Sequence, residues 1–393
     1  WAIGRNGGKY NHGSLPGMFD VLWKNPLAKY LGVIGLFGST IILIYYSYIV
    51  SWTLGFSFFS LFKTYFGLTT FDGMSSFLGS YQGTRVGYFS STWICYIFLL
   101  ITFLLNFWIM KRGISKGIEI LAKIALPALF IFAFILAVRV FTLGTPDPVN
   151  NPDWSVAGGF AFLWNPNFSM LGDAKIWLAA AGQVFFTLSV GMGTLHAYAS
   201  YIKPKDDVVL SGLATASLNE FAEVILGAVI SIPVAVAFFG LAVTQEVAAG
   251  GSFNLGFVAM PIIFQKIPLG EFFGFFWFLL LFFAGITSTV AMAQPLISFL
   301  EERFNISHNK ATTYIGIFTF ICLHFVFFFF QFGVLDEMDY WAGTFVLVVI
   351  ALVEVVIFAW MFGMEKGWKE INMGADIKVP IIFKHIIKYV TPF

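Results

Sequence analysis

Long apolar runs separated by short polar or basic connections set the reading of this chain. Runs near the roughly 20 residues that a helix needs to cross about 30 Å of hydrocarbon fall at residues 31–60, 92–110, 118–143, 173–202, 208–241, 271–300, 310–332 and 340–363. The pattern predicts an all-α polytopic membrane protein with eight crossings. Two connections are long. Residues 144–172 are rich in Pro, Asn and Gly and read as a solvated connector, whereas residues 242–270 contain the apolar run FNLGFVAMPIIFQ and read as a re-entrant or lid helix pair.

Composition agrees with the pattern. Of 393 residues, 59% are hydrophobic, 11% are charged and 50 are Phe, and the mean hydropathy is +0.84. Those values exclude an ordinary soluble domain. A formal net charge of +1 with no basic stripe argues against nucleic acid as a partner. Cys95 and Cys322 lie inside apolar spans with no Cys or His at ligand spacing, so neither a disulfide framework nor a zinc site is indicated.

Lys and Arg collect on one alternating set of connections, which holds Arg5, Lys9, Lys111, Arg112, Lys203, Lys205, Arg303 and Lys310 among others. The opposite set holds only Lys63, Arg85, Arg139, Lys175 and Lys266. Short cytoplasmic loops carry the basic excess, so residue 1 is expected on the cytoplasmic side of a cytoplasmic (inner) membrane. The chain opens without Met and closes as a further apolar segment begins, and it reads as a fragment at both ends.

Three spans carry polar stripes. The first lies in QVFFTLSVGMGT, where Gln183, Thr187 and Ser189 precede Gly191 and Gly193. Unwound backbone at this depth survives only where it is buried in protein or lines a cavity, and there it can hold a small polar solute and cations. A lone GxG more often marks close helix packing; the accompanying hydroxyls and amide shift that balance. The second lies in FFAGITSTVAMAQP, where Ala284, Thr287, Ser288 and Met292 share one helical face. Its oxygens suit an alkali cation, although Ser and Thr on membrane helices commonly bond their own i−4 carbonyl. The third sets Ser211, Thr215, Asn219 and Glu223 four apart in LSGLATASLNEFAEVILG. Glu223 is the most informative, because an intramembrane carboxylate is a functional candidate by default, with a structural ion pair as the competing reading. Elsewhere Ile42 and Tyr46 lie four apart in the first span, and Asp336, Glu337 and Asp339 form an acidic rim in LDEMDYWAGT. The five His residues are scattered, and no nucleophile stands with a base at reaction spacing.

The stretches WAIGRNGG, IYYSYIVSWTLGF, KRGISKGIE, QVFFTLSVGMGT, ATASLNEFAEVILG, FFAGITS with QPLISFLEE, and LDEMDYWAGT run in order along essentially the whole chain. Together they resemble the neurotransmitter:sodium symporter family, specifically its prokaryotic amino-acid branch related to the bacterial leucine transporter. The resemblance implies a fold of two inverted five-helix repeats, here lacking the first helix, most of the second and the C-terminal helices. Residues 1–30 would hold the end of the second helix and a cytoplasmic loop, 31–143 the third to fifth helices, and 144–172 an extracellular loop. Residues 173–364 would form the second repeat with its lid loop 242–270, and 365–393 a cytoplasmic segment and the start of the eleventh helix.

Carried over position by position, the resemblance implies two Na+ sites in the complete protein. One would use Ala284, Thr287 and Ser288, the other Thr187 and Asn219. The amino-acid pocket would be walled by Ile42, Tyr46, Phe186, Ser189, Met192, Ser288 and Met292, with the Tyr46 hydroxyl on the substrate carboxylate side and Phe186 as lid. Glu223, with Gln183, would replace the anion of chloride-dependent members. Asp339 resembles the acidic half of an outer gate, and Tyr201 with Glu302 an inner gate. Val50, Glu302 and Met192 depart from the Glu, Asp and Phe found there in many relatives. The implied function is chloride-independent, sodium-coupled symport of a hydrophobic or aromatic amino acid, in contact with the bilayer and compatible with a homodimer. A sensor of the same fold that binds without transport stays open; the absence of a catalytic cluster speaks against a membrane enzyme.

Overall fold

A computed structural model describes residues 1–249 and 251–393; Gly250, inside the expected lid loop, lies outside the described residues. The described residues are helical and contain no strand. Seven helices are long and apolar enough to cross a membrane. In chain order with the shorter ones, the helices are α1 (Ala2–Gly8), α2 (Leu15–Leu22), α3 (Pro26–Leu61), α4 (Phe71–Gln82), α5 (Trp93–Lys111), α6 (Ile114–Phe141), α7 (Val156–Trp164), α8 (Ala174–Thr187) and α9 (Thr194–Ala199). They continue with α10 (Val208–Ala249), α11 (Leu255–Gln265), α12 (Gly270–Phe304), α13 (His308–Phe332), α14 (Val334–Met361), α15 (Met364–Asn372) and α16 (Ile382–Tyr389).

Among the described residues, seven of the expected crossings fall on α3, α5, α6, α10, α12, α13 and α14, with α10 kinked at Gly240. The remaining stretch, 173–202, is two short helices, α8 and α9, separated by non-helical backbone. Some bounds move outward. The first span begins at Pro26, because Asn25 caps the helix through a 3.0 Å bond from the Leu27 N–H to its side chain, and Pro is favoured in a first turn.

The center of the molecule is the seam between α3 and α12. Side chains in lipid gain nothing from leaving water, so membrane helices associate through close backbone approach and interhelical hydrogen bonds. Both occur here. A Cβ on Gly285 would lie 2.5 Å from Val50 Cγ2, and the Ser39 hydroxyl donates to the Met292 carbonyl at 3.1 Å. Around the outer half of the seam, Tyr48, Trp52 and Phe56 meet Phe253, Phe257, Phe278 and Phe330 in edge-on and tilted ring contacts. The opposite face of α3 stays exposed and apolar, as at Leu27, Tyr30 and Phe37, and so does a face of α13, as at Phe325 and Phe328, which is what a hydrocarbon solvent permits.

Both long connections are structured. Contrary to a solvated connector, residues 144–172 contain α7, which packs on α10 so closely that a Cβ on Gly159 would lie 2.4 Å from Pro233 Cα. Near the end of the 208–241 run α10 breaks its helical backbone at Gly240, and in the second connection α11 buries Phe257, Val258, Ile262, Ile263 and Phe264.

Candidate functional site

The break between α8 and α9 is written in backbone angles. Ser189, Gly191 and Gly193 have φ values of +54°, +80° and +74°. Glycine tolerates that left-handed region at little cost, whereas a serine there is strained. The chain is pressed against α14 at this point: a Cβ on Gly191 would lie 2.6 Å from the Leu347 carbonyl oxygen. Gly191 is therefore required twice, for its conformation and for its lack of a side chain.

At the α8 end of the break, four polar side chains form one knot. Glu223, on α10, accepts hydrogen bonds from Gln183 and from the Thr187 hydroxyl. The Asn219 side-chain amide donates to Thr187 at 2.8 Å and approaches Glu223 at 3.5 Å. The carboxylate's turn of α10, Phe221–Gly227, is wound as a π-helix, a local widening that recurs at functional positions. Ser211 and Thr215, on the same stripe, bond instead to the carbonyls four residues back, at 2.7 and 2.8 Å. Of this stripe, the half beside the break is the half that reaches α8.

The α12 stripe is mixed. Thr287 and Ser288 both donate to the Ala284 carbonyl, at 2.9 and 3.0 Å. A hydroxyl that donates its proton this way keeps its lone pairs, so both oxygens stay able to meet a cation. The Thr287 hydroxyl also reaches the Phe283 carbonyl at 3.0 Å, so its proton need not rest on Ala284.

Two cavities flank the break. One, of about 620 Å³, is lined by Tyr46, Phe186, Gln183, Lys175, Asp336 and Asp339. The other, of about 270 Å³, is lined by Ser189, Thr194, Tyr198, Thr287, Ser288 and Met292. The expected pocket wall is thus divided between them, and Ile42 and Met192 line neither and are fully buried. At the rim of the larger cavity the Tyr45 hydroxyl donates to Asp339 at 2.6 Å. Tyr201 and Glu302 share no hydrogen bond among the described residues. The Tyr201 hydroxyl accepts from Gln294 at 3.1 Å, and Glu302 is taken by the turn at residues 12–14.

One buried acid escaped the sequence reading. Glu354, on α14, interacts with the Gly191 backbone N–H, and its Oε1 lies 3.7 Å from Nδ1 of His196 on α9. Neither atom has a hydrogen-bond partner among the described residues. A lone acid in the apolar run IALVEVVIF carries the same signal that singled out Glu223.

Comparison with known proteins places this architecture. The profile of the Sodium:neurotransmitter symporter family matches residues 86–393. The chain is 29% identical over 289 residues to an uncharacterized sodium-dependent transporter of Methanocaldococcus jannaschii, covering 72% of this chain and 56% of that one. It is 27% identical over 292 residues to another from Haemophilus influenzae, covering 74% and 59%. It therefore spans little more than half the length of these relatives. Among solved structures, MhsT in complex with L-phenylalanine superimposes with a TM-score of 0.81 at 24% identity, covering all of this chain and 84% of that one. With the fold shared along the whole chain and the family profile spanning residues 86–393, this chain belongs to the sodium:neurotransmitter symporter family.

Proposed function

We propose that this chain is the greater part of a transporter that couples sodium entry to uptake of a hydrophobic or aromatic amino acid by alternating access, without chloride. The observation that carries the reading is the knot of Gln183, Thr187, Asn219 and Glu223 beside the left-handed backbone at Ser189, Gly191 and Gly193. A fixed carboxylate there supplies the negative charge that stabilises a cation nearby, so no mobile anion is needed. One sodium ion is assigned to Thr187 and Asn219 and the other to Ala284, Thr287 and Ser288. Ser189 backbone and Ser288 would receive the substrate ammonium group, and Tyr46 its carboxylate. Ile42, Phe186, Met192 and Met292 would surround its side chain, where each buried methylene contributes about 0.8 kcal/mol. The division of these groups between two cavities supports a state in which the pocket is not assembled; closure would join them beneath Phe186. Asp339 is assigned to the outer gate, and Tyr201 and Glu302 to the inner one.

We assign residues 31–143 and 173–364 to the two inverted repeats, and place the protein in the cytoplasmic membrane with residue 1 inside. The test is equilibrium binding of radiolabelled L-phenylalanine, leucine and tryptophan to the purified protein in sodium chloride, sodium gluconate and choline chloride. Saturable binding in both sodium salts and none in choline is expected. Binding indifferent to sodium would remove the symport mechanism, and binding in sodium chloride alone would show that Glu223 does not replace the anion.

A further inference from the structure

Helix α12 ends in two consecutive carboxylates, Glu301 and Glu302. Neighbouring residues on a helix point about 100° apart, so the two face different partners, and each partner includes a histidine. Glu302 meets Nδ1 of His12 at 3.1 Å, the Gly13 N–H at 2.5 Å and the Ser14 hydroxyl at 3.3 Å. Glu301 meets Nδ1 of His308 at 2.9 Å, and the other nitrogen of that ring, Nε2, lies 2.9 Å from the Met110 carbonyl oxygen at the end of α5.

The second arrangement constrains the proton count. A neutral imidazole has one N–H and one lone pair, whereas the imidazolium donates from both nitrogens. His308 faces an acceptor at each end. The Thr312 hydroxyl, 3.4 Å from Nε2, is the one donor at hand, and a ring that accepted from it would still point a lone pair at the Met110 carbonyl. The charged groups bearing on the ring are Glu301 from α12 and Lys111 from α5. The Lys111 ammonium is engaged by the Asn309 carbonyl at 2.8 Å and the Thr313 hydroxyl at 2.5 Å. The C-terminal end of α5 carries partial negative charge that favours a cation, and the first turn of α13, where His308 itself sits, opposes it. The carboxylate in contact decides between them. A third of the His308 side chain is exposed, so protons reach it.

We propose that His308 is a pH-sensitive pin: as the imidazolium it ties the Glu301 end of α12 to the end of α5, and on losing a proton it releases one of the two. The helix it holds is the one that carries Ala284, Thr287 and Ser288, so the pin restrains the end of a helix central to the fold. The inference uses none of the transport assignments and survives their failure.

The experiment is hydrogen exchange of the full chain in detergent at several pH values from about 6 to 8.5, corrected for intrinsic rates. Amides around residues 109–113 and 301–312 are followed. Exchange at these amides should therefore rise with pH across that range, as the ring loses the proton that lets it donate at both nitrogens. In His308→Gln, which has no proton to lose, the profile should be flat, while His12→Gln should keep the rise. A flat wild-type profile, or an unchanged rise in His308→Gln, would overturn the pin. Should His308→Gln not fold, the carbon-13 shift of the His308 ring in the wild-type chain decides: an imidazolium persisting above pH 7 supports the pin, and a neutral ring at pH 7 removes it.

Discussion

The α3–α12 seam and the α8–α9 break are held together by opposite means. Along the seam, small residues let two long helices touch, and Ile42, Val50, Trp52, Ile286 and Val290 are buried with almost no exposed surface. At the break, α8 buries none of its residues, and its described ties to α10 are the polar bonds around Glu223. Packing of the first kind is non-directional and tolerates small changes in side-chain shape. Hydrogen bonding of the second kind is directional, and bonds to a charged group are stronger than those between neutral groups. A closely packed seam beside a helix tied by polar bonds is the division of labour that the proposed alternating access would use.

The same substitution in the two regions separates these means. At Gly191, alanine would take on a left-handed backbone costing about 1–2 kcal/mol and would push against the Leu347 carbonyl, which cannot rotate away. Overpacking of that kind adds about 1–3 kcal/mol. At Gly285 the obstacle is the Val50 side chain, so overpacking again adds about 1–3 kcal/mol, but there is no left-handed backbone cost and alanine regains about 1 kcal/mol of helix propensity. The expected result is a loss of about 3 kcal/mol for Gly191→Ala, with sodium-dependent binding abolished. Gly285→Ala should cost about 1 kcal/mol and leave sodium affinity per folded molecule unchanged. Thermal unfolding with binding titrations would check both, and equal losses at the two sites would erase the distinction.

Glu223→Ser tests the polar knot directly. It removes the acceptor used by Gln183 and Thr187. It also removes the negative charge proposed to stabilise the nearby cation, and a coupling of about 1–3 kcal/mol between the two would lower sodium affinity in gluconate by about tenfold to a hundredfold. If the carboxylate supplies the anionic charge, chloride should restore much of the loss. A variant equally weak in chloride and gluconate would leave Glu223 a structural tie and no more.

The spans were legible because bilayer thickness sets the length of an apolar run, and the break because glycines and hydroxyls have no reason to interrupt one otherwise. What spacing cannot supply is the neighbour. Ser211, Thr215, Asn219 and Glu223 are equivalent in the sequence, yet the first two bond their own helix and the last two reach α8. Tyr201 and Glu302 likewise look like a pair, but Gln294 and the turn at residues 12–14 claim them first. Helix α7 reads as a connector in the sequence because the packing of Gly159 on Pro233 is a tertiary fact. Glu354 stands out as a lone acid in an apolar run, and its position beside His196 and Gly191 gains meaning only in three dimensions.

A smaller effect probes the end of α10 that lies away from the break. Asp207 caps this helix through the Val209 and Leu210 N–H groups, at 2.7 and 2.9 Å, and also accepts the Asp376 N–H at 2.8 Å, tying the loop before α10 to the segment after α15. Those backbone donors, Leu210 and Asp376 foremost, hold its carboxyl below the usual carboxylate range. A carboxyl whose folded value is lowered stabilises the fold above its unfolded value, about 3.9, and that contribution disappears as the pH falls through the folded one. Hydrogen exchange of the Asp376 amide should therefore accelerate, after correction, below about pH 4. Asp207→Asn should flatten this dependence while keeping α10 capped, because Asn serves nearly as well at an N-cap. If the Asp376 amide in the Asn variant follows the wild-type profile, the tie between these segments does not depend on the Asp207 charge, and polar bonding at this end of α10 acts by geometry alone.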